Sequence, residues 1–278
     1  MSSSTGSRLQ SPPEPRAALR RAAVVTNART GAAAAAMDMV ERVAAEAGVE
    51  LVPPDAEAVP ELAVVLGGDG TMLRALHRFL RTGIPVLGVN FGRVGFLTSL
   101  SPAELESGLS RVFAGEFVVH ELPTLLVEVG GERRPALNDV VGTSSSLGRM
   151  IEVGWAVGGE DLGVQPCDGV ICATPAGSTA YNLSSGGPVL VWGLDAMVVT
   201  FVAPHTLHVR PLVVPRGREL SVQNETANVR MTVVADGQAF AELAPGDRFT
   251  CRLDERSALL ATPPEATFFR RFREHFAS

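Results

Sequence analysis

The sequence predicts an α/β half followed by a β-rich half that is antiparallel and sandwich-like. From residue 21 to about 117, apolar runs alternate with helical patterns, which is typical of βαβ units on a parallel sheet. After that point, short β-rich runs follow one another, separated by Gly, Pro, Asn or Asp. At 278 residues the chain can bury a sizeable core in one large or two modest domains.

In the first half, three apolar runs predict parallel strands with helices between them. A helix is expected over residues 31–47, and a second helix has an apolar stripe between residues 73 and 80. Residues 101–104, Ser-Pro-Ala-Glu, form a capping box that begins a third helix. The predicted strands are AAVVTNA (22–28), LAVVLGG (62–68) and IPVLGVNF (84–91).

The ends of the chain differ from its middle. The first twenty residues are rich in Ser and Pro without a continuous apolar core, which predicts a disordered tail and not a signal peptide. The last stretch has four phenylalanines on one side of a basic helix. Such a helix can lie on a membrane, but docking on the protein itself is the expectation here. The predicted segments are a disordered tail (1–20), an α/β domain (21–117), a β-rich domain (118–255) and a C-terminal helical tail docking on the N-terminal domain (256–278).

Composition excludes several classes of protein. The formal net charge of −6 argues against nucleic-acid binding, which depends on a basic surface. All 24 basic residues are Arg, so the chain has no lysine for a Walker-type phosphate loop, a protein-kinase strand or a Schiff base. The three cysteines show no CxxC spacing and predict a reduced, cytoplasmic chain. No apolar run approaches the length of a membrane span, so no membrane partner is expected.

The stretch GGDGT, residues 67–71, joins a predicted strand to a predicted helix. Gly67, Gly68 and Gly70 allow phosphate oxygens to approach backbone N–H groups, and Thr71 can cap the helix. Asp69 suits a base that takes a hydroxyl proton, or a ligand for Mg²⁺. The alternative is an Asx-type turn, which Gly and Asp also favour.

Two further stretches could bind a nucleotide. CDGVICATPAGSTAYNLSSGGP, residues 167–188, has small residues that let a flat ligand approach the backbone, and Tyr181 can stack on a base. In ALNDVV, Asn138 can bind an adenine edge and Asp139 can accept both ribose hydroxyls, although Asn-Asp is also a common turn pair. The hydroxyl and amide donors of the longer stretch are Ser178, Thr179, Asn182, Ser184 and Ser185.

These motifs, with APHTLHVRPLVV and ADGQ, occur in the order found in NAD kinases, and the sequence resembles that family over about residues 62–240. The Gly-Ser-Thr-Ala-Tyr element (residues 177–181) is specific to this family, whereas GGDG is shared with diacylglycerol and sphingosine kinases and, more distantly, with phosphofructokinases. The resemblance implies a Rossmann-like domain on a β-rich domain with the active site between them. It also implies phosphorylation of the adenosine-ribose 2′-hydroxyl of NAD by ATP or polyphosphate, giving NADP.

Carried over by position, the resemblance assigns Asp69 as catalytic base and Arg74 to a phosphate. It implies homodimers or homotetramers with a pocket partly shared between chains. Two positions depart from many members: Ala176 replaces Thr and removes a hydroxyl, and Pro166 replaces Arg and removes a cation. The remaining substrate-binding positions are Gly70, Asn138, Asp139, Arg149, Asp168, Thr179, Ala180, Tyr181, Asn182, Leu183, Ser184 and Gln238.

Two other functions remain open at this stage. A lipid kinase would need an apolar cleft for acyl chains and would leave the Gly-Ser-Thr-Ala-Tyr element without a role. A non-enzymatic dinucleotide-binding regulator would need the pocket but would tolerate the loss of Asp69.

Overall fold

The computed structural model describes residues 16–26, 31–90, 95–206 and 208–277. Its helices are α1 (Gly31–Ala47), α2 (Asp69–Phe79), α3 (Leu105–Phe113), α4 (Tyr181–Ser184) and α5 (Phe268–Phe276). The N-terminal strands are β1 (Arg21–Thr26), β2 (Glu50–Val52), β3 (Leu62–Leu66) and β4 (Val86–Val89). The other strands are β5 (Val118–Val129), β6 (Glu132–Ala136), β7 (Asp139–Ser144), β8 (Ile151–Val157), β9 (Glu160–Cys167), β10 (Gly169–Ala173), β11 (Ala196–Val202), β12 (Leu212–Pro215), β13 (Leu220–Asn224), β14 (Met231–Ala235), β15 (Gln238–Leu243) and β16 (Arg248–Thr262).

The N-terminal half is a parallel sheet with helices on both faces, as predicted. Strands β1 to β4 pair in the order β2-β1-β3-β4, and β2 is an edge strand that the sequence pattern did not indicate. Side chains alternate along β3, so Leu62, Val64 and Leu66 pack with α1 and α3. Ala63 and Val65 face the opposite side and pack with α2.

The longest strand, β16, belongs to both halves of the molecule. It pairs with β5 along its length, with β13 at its beginning, and in parallel with β4 through Leu260 and Ala261. A bulge between Leu253 and Ser257 lets it bend from one half into the other. The predicted boundary at residue 255 therefore falls inside one continuous strand.

The C-terminal half is antiparallel, as predicted. One layer is a separate six-stranded sheet with the order β12-β11-β10-β7-β14-β15. The facing layer is the far part of the ten-stranded sheet, where β16 pairs with β5 and with β13, and β8 and β9 follow β13. Their inner side chains form one core, in which Val127 and Ile151 of one layer join Val170 and Met197 of the other. This core gives the sandwich its stability.

The chain ends pack in different ways. Residues 1–15 of the predicted disordered tail lie outside the described residues, whereas Leu19 donates its N–H to the Phe113 carbonyl at 2.9 Å. Helix α5 buries Phe268 and Arg271. Of the four phenylalanines expected on the docking side of this helix, Phe268 is buried, whereas Phe269, Phe272 and Phe276 are 69%, 38% and 44% exposed.

We expect Thr124→Val to destabilise the bend in β16. The Thr124 hydroxyl is fully buried and donates to the Arg256 carbonyl at 2.7 Å, so its loss leaves that carbonyl without a partner at a cost of about 1–3 kcal/mol. Urea unfolding measures this change. The control is Thr232→Val, the same substitution at a half-buried position of β14. Equal effects of the two variants would contradict the role assigned to Thr124.

Candidate functional site

The GGDGT stretch forms the turn into α2. Gly68 is the N-cap and Asp69 is the first helical residue, so its carboxylate lies at the end of the helix that favours negative charge. The expectation that Thr71 caps the helix is wrong, because the helix begins two residues earlier. The Thr71 hydroxyl instead accepts a bond of 3.4 Å from Arg74 Nη2, one turn further along.

The three glycines of this turn have different surroundings. A methyl group added to Gly67 would lie 2.7 Å from the Thr71 hydroxyl, so packing requires glycine there. No atom of the described residues lies within 4 Å of the corresponding positions at Gly68 and Gly70, and neither residue has a positive φ. The described surroundings therefore do not require glycine at residues 68 and 70, whereas a ligand approaching the backbone would require it.

A short segment, residues 95–99, covers one side of Asp69 and is called the strap below. A methyl group on Gly95 would overlap the Asp69 carboxylate, so the two residues are in close contact. The backbone N–H groups of Leu97 and Phe96 donate to that carboxylate. Desolvation by the surrounding protein raises the pKa of Asp69, and these N–H groups oppose the increase. Asp69 nevertheless remains exposed on its other side.

The Asn138–Asp139 pair is held by a carboxylate that follows β14. Asp236 has a left-handed backbone with a φ of 48°. Its Oδ2 accepts the N–H of Leu137 at 2.7 Å, and its Oδ1 accepts the N–H of Asn138 at 2.7 Å. The N–H of Asp139 is 3.2 Å from the same Oδ1. Asp236 thus provides hydrogen-bond partners for a loop that has no strand neighbour at this point.

Asp236 also connects this loop to α2. The Nε2 of His77 lies 2.5 Å from Asp236 Oδ2, although the two residues are 159 positions apart in the sequence. Thr71, Arg74 and His77 follow one another at intervals of three, so they share a face of α2. Arg74 therefore lies on the helix face whose far end contacts the Asn138–Asp139 loop. Along the helix axis, Asp69 and His77 are about 12 Å apart.

The Gly-Ser-Thr-Ala-Tyr element meets the same loop from the other side. The N–H of Thr174 donates to the Asn138 carbonyl at 2.9 Å, and the Thr174 hydroxyl donates to the Leu137 carbonyl at 2.6 Å. Gly177 packs so closely on the Asn138 backbone that any side chain there would overlap it. Ala176, at the position where many NAD kinases have Thr, is 7% exposed and lies in the apolar core beneath α2.

Two predicted donors of this element are structural. Asn182 is fully buried: its amide nitrogen donates to the Ser178 and Pro188 carbonyls at 2.9 and 3.0 Å, and its oxygen accepts from Thr200. The Ser178 hydroxyl is fully buried as well and accepts the N–H of Leu190 at 2.9 Å. These side chains hold the loop together, which corrects the expectation that they donate to a ligand. The side chains that do reach the surface are Tyr181, 45% exposed, and Ser184, with Thr179, Ala180 and Leu183 half-buried.

The predicted site residues lie at two ends of the six-stranded sheet. Asp139 pairs with Ala173 at one end of the β7–β10 ladder, and Thr143 pairs with Gly169 at the other end. These ends are about 13 Å apart. Gln238 begins β15, opposite Ala235, and so lies at the end that carries the Asn138–Asp139 pair and Asp236. Asp168 directly precedes Gly169 at the opposite end of that ladder, and Arg149 follows β7 there. Pro166 lies in β9 of the ten-stranded sheet, opposite Glu152.

Comparisons with known proteins agree with this architecture. Models of the ATP-NAD kinase N-terminal and C-terminal domains match residues 49–117 and 137–261. An NAD kinase of Gemmatimonas aurantiaca is 39% identical over 218 residues, covering 76% of this chain and 75% of that protein. An NAD kinase of Heliobacterium modesticaldum is 40% identical over 219 residues, which are 77% of either protein.

The chain belongs to the NAD kinase family. Among solved structures, an NAD kinase from Archaeoglobus fulgidus in complex with ATP has a TM-score of 0.75 and 31% identity, covering 92% of this chain and 97% of that one. A yeast NADH kinase in complex with NADH has a TM-score of 0.80 over 93% of this chain and 88% of that one. At 20% identity, this second likeness concerns the fold alone.

The sequence motifs of the NAD kinase family did not reveal every residue that builds the site. His77 and the strap were not singled out, and Asp236 was read only as part of ADGQ. An aspartate before glycine after a β-rich run was the available signal for a left-handed turn. In the part of the chain that the structure describes, no helix has the length and apolarity needed to cross a membrane.

We expect Asp139 to make stability depend on pH. Desolvation, with repulsion from Asp236, raises the pKa of Asp139 to about 7 from an ordinary 3.8. The folded state then binds more protons than the unfolded state between these values, so stability falls as pH rises through this range, by up to about 1.4 kcal/mol per pH unit. Urea unfolding of wild type and Asp139→Asn at pH 5.0 and 7.5 measures it. A difference in the free energy of unfolding between the two proteins that does not change with pH would contradict the assignment.

Proposed function

We propose that this chain transfers the γ-phosphoryl group of ATP to the 2′-hydroxyl of the adenosine ribose of NAD, giving NADP and ADP. The observation that carries the proposal is the pair of glycines at 68 and 70, which flank a carboxylate at a helix N-terminus and have no atom of the described residues beside them. Relatives at 39–40% identity are NAD kinases. The NAD kinase from Archaeoglobus fulgidus was solved with ATP, and the yeast NADH kinase with NADH.

Asp69 acts as the general base in this proposal. Burial raises its pKa, so the ionised carboxylate is a stronger base than that of a freely exposed aspartate. It accepts the proton of the 2′-hydroxyl as that oxygen attacks the γ-phosphorus and ADP leaves. Phosphoryl transfer requires positioning and neutralisation of charge more than covalent catalysis. The α2 N-terminus and Arg74 would supply this neutralisation without a lysine.

The proposed dinucleotide site faces α2 from the β-rich half. Asn138 would bind the adenine edge and Asp139 the ribose hydroxyls, with Tyr181 available to stack on a base. Further contacts of the dinucleotide or donor would involve Gly67, Gly68, Thr71, Thr179, Ala180, Leu183, Ser184 and Gln238.

A divalent cation fits this site only with help from the nucleotide. The described residues contain no group of three His, Cys, Asp or Glu side chains that could hold a metal ion. Mg²⁺ often takes one or two carboxylates and completes its shell with phosphates and water. Asp69 would be that carboxylate, and the cation would neutralise charge on the donor phosphates.

We also propose a homodimer or homotetramer that functions in the cytoplasm. Asp168 precedes Gly169 at the end of the ladder about 13 Å from Asp139, and Arg149 follows β7 at that same end, so their predicted binding roles fit a pocket shared with another copy. Cys167, Cys172 and Cys251 are buried and free, as expected in a reducing compartment.

We expect Asp69→Asn to abolish most NADP formation while retaining NAD binding, because the amide keeps the shape of the side chain but cannot accept a proton. A general base contributes about 10²–10⁴-fold to rate. The measurement couples NADP to an NADP-specific dehydrogenase, with ATP or polyphosphate as donor and Mg²⁺ present. Near-normal turnover of the variant would overturn the base assignment. NAD binding without NADP formation by the wild type would favour the regulator, and phosphorylation of a diacylglycerol or sphingosine vesicle would favour the lipid kinase.

We expect Gly70→Ala to separate activity from stability. The added methyl group meets no atom of the described residues within 4 Å, and alanine favours the helix, so the free energy of unfolding stays equal or increases by about 0.4–1 kcal/mol. The same methyl group occupies the space proposed for phosphate, so the KM for ATP rises. Calorimetry and the coupled assay test both parts. A variant with unchanged kinetics would remove Gly70 from the site.

A further inference from the structure

Helix α5 carries a buried cation that holds the strap from its outer side. Arg271 is 3% exposed, and its Nη1 donates to the Phe96 carbonyl at 2.6 Å and to the Thr98 carbonyl. Its Nη2 donates to the Ser99 hydroxyl at 2.8 Å. One guanidinium group therefore contacts three of the five strap residues.

The same guanidinium connects the strap to the β-rich half. Its central carbon lies 5.1 Å from the ring centroid of Trp192, which follows the Gly-Ser-Thr-Ala-Tyr element in the chain. The Phe96 ring packs against His275 and Phe276 of α5, with centroid distances of 4.5 and 5.7 Å. These contacts on the outer side of the strap come from α5, although Arg271 and Phe96 are 175 residues apart in sequence.

The inner side of the strap faces the proposed base. Gly95 contacts the Asp69 carboxylate, and the N–H groups of Phe96 and Leu97 donate to it. The contacts therefore run without interruption from the Arg271 guanidinium through the strap backbone to Asp69. The strap has no regular secondary structure of its own. Besides these two partners, it is held at its end by β4, where the N–H of Ser99 donates to the Gly88 carbonyl at 2.8 Å.

We propose that Arg271 is a positioning residue for phosphoryl transfer: by fixing the strap, it orients the Asp69 carboxylate toward the substrate hydroxyl. This inference rests on the proposed function and on Asp69 as the base. Arg271 does not touch substrate in this account. It acts through the strap, and its positive charge also lowers the pKa of Asp69 directly. A planar, forked guanidinium can bond two carbonyls and a hydroxyl while stacking on Trp192, whereas the ammonium group of lysine cannot do so with one geometry.

The kinetic test compares Arg271→Ala, Arg271→Lys and the control Arg273→Ala, which removes an exposed Arg from the same helix. We expect Arg271→Ala to lower kcat on the order of 10–100-fold, because small misplacement of a catalytic group has effects of this size. The KM values for NAD and ATP should change less than about threefold. The kcat of Arg271→Lys should lie between those of wild type and Arg271→Ala, and the kcat of Arg273→Ala should match wild type. Added methylguanidinium should restore part of the kcat of Arg271→Ala. Unchanged kcat, or a loss confined to KM, overturns the proposal.

Hydrogen exchange tests the strap independently of activity. The amides of Phe96 and Leu97 should exchange faster in both Arg271→Ala and Asp69→Asn than in wild type, and Arg273→Ala should leave them unchanged. Unchanged exchange in Arg271→Ala overturns the proposal even if that variant loses activity. If Arg271→Ala does not fold, Ser99→Ala removes one partner of Arg271 at a half-buried position and should lower kcat about 2–10-fold.

The kinase activity and the role of Arg271 are tested by different outcomes. A wild-type protein that makes no NADP overturns the proposed function and this inference with it. If the wild type makes NADP, Asp69→Asn does not, and Arg271→Ala keeps full kcat, only the role of Arg271 is overturned.

Discussion

The structure depends on the continuity of β16. This strand contributes to the sandwich core at its beginning and to the parallel sheet at its end, so the two halves share one hydrogen-bonded framework. The bend between Leu253 and Ser257 interrupts the ladder and leaves backbone groups that need partners. Thr124 and Arg216 supply them, by donating to the carbonyls of Arg256 and Asp254 at 2.7 Å in both cases. The loops of the β-rich half consequently face α2 in a fixed orientation.

Within that framework, the site consists of irregular backbone held by buried polar side chains. Asp236 holds the Asn138–Asp139 loop, Asn182 holds the Gly-Ser-Thr-Ala-Tyr element, and Arg271 holds the strap. Irregular segments near a ligand cannot satisfy their N–H and C=O groups through a ladder, so each one depends on a side chain brought from another element. This arrangement leaves the space beside Gly68 and Gly70 free of atoms of the described residues, while side-chain hydrogen bonds hold the surrounding loops.

The sequence predicted the parts of the molecule that depend on local patterns. Alternating apolar runs indicated both halves, and the glycines around Asp69 indicated a turn between a strand and a helix. The edge strand β2 was missed because three residues are too few to show a period. The helix start was placed too late, since Asp69 and Gly70 are also common turn residues. The bonds from His77 to Asp236 and from Arg271 to Phe96 join residues 159 and 175 positions apart, and no local pattern encodes such contacts.

The identity of the phosphorylated product decides whether this chain phosphorylates the 2′-hydroxyl of NAD. Phosphorus NMR of a reaction containing the wild-type protein, NAD, ATP and Mg²⁺ resolves a new phosphomonoester from the diphosphate bridge. Coupling to the ribose protons shows which carbon carries it. We expect one new signal from a phosphate on the 2′-carbon of the adenosine ribose, growing at the same rate as ADP. A phosphate on any other hydroxyl, or ADP formed without a new phosphomonoester, would contradict it.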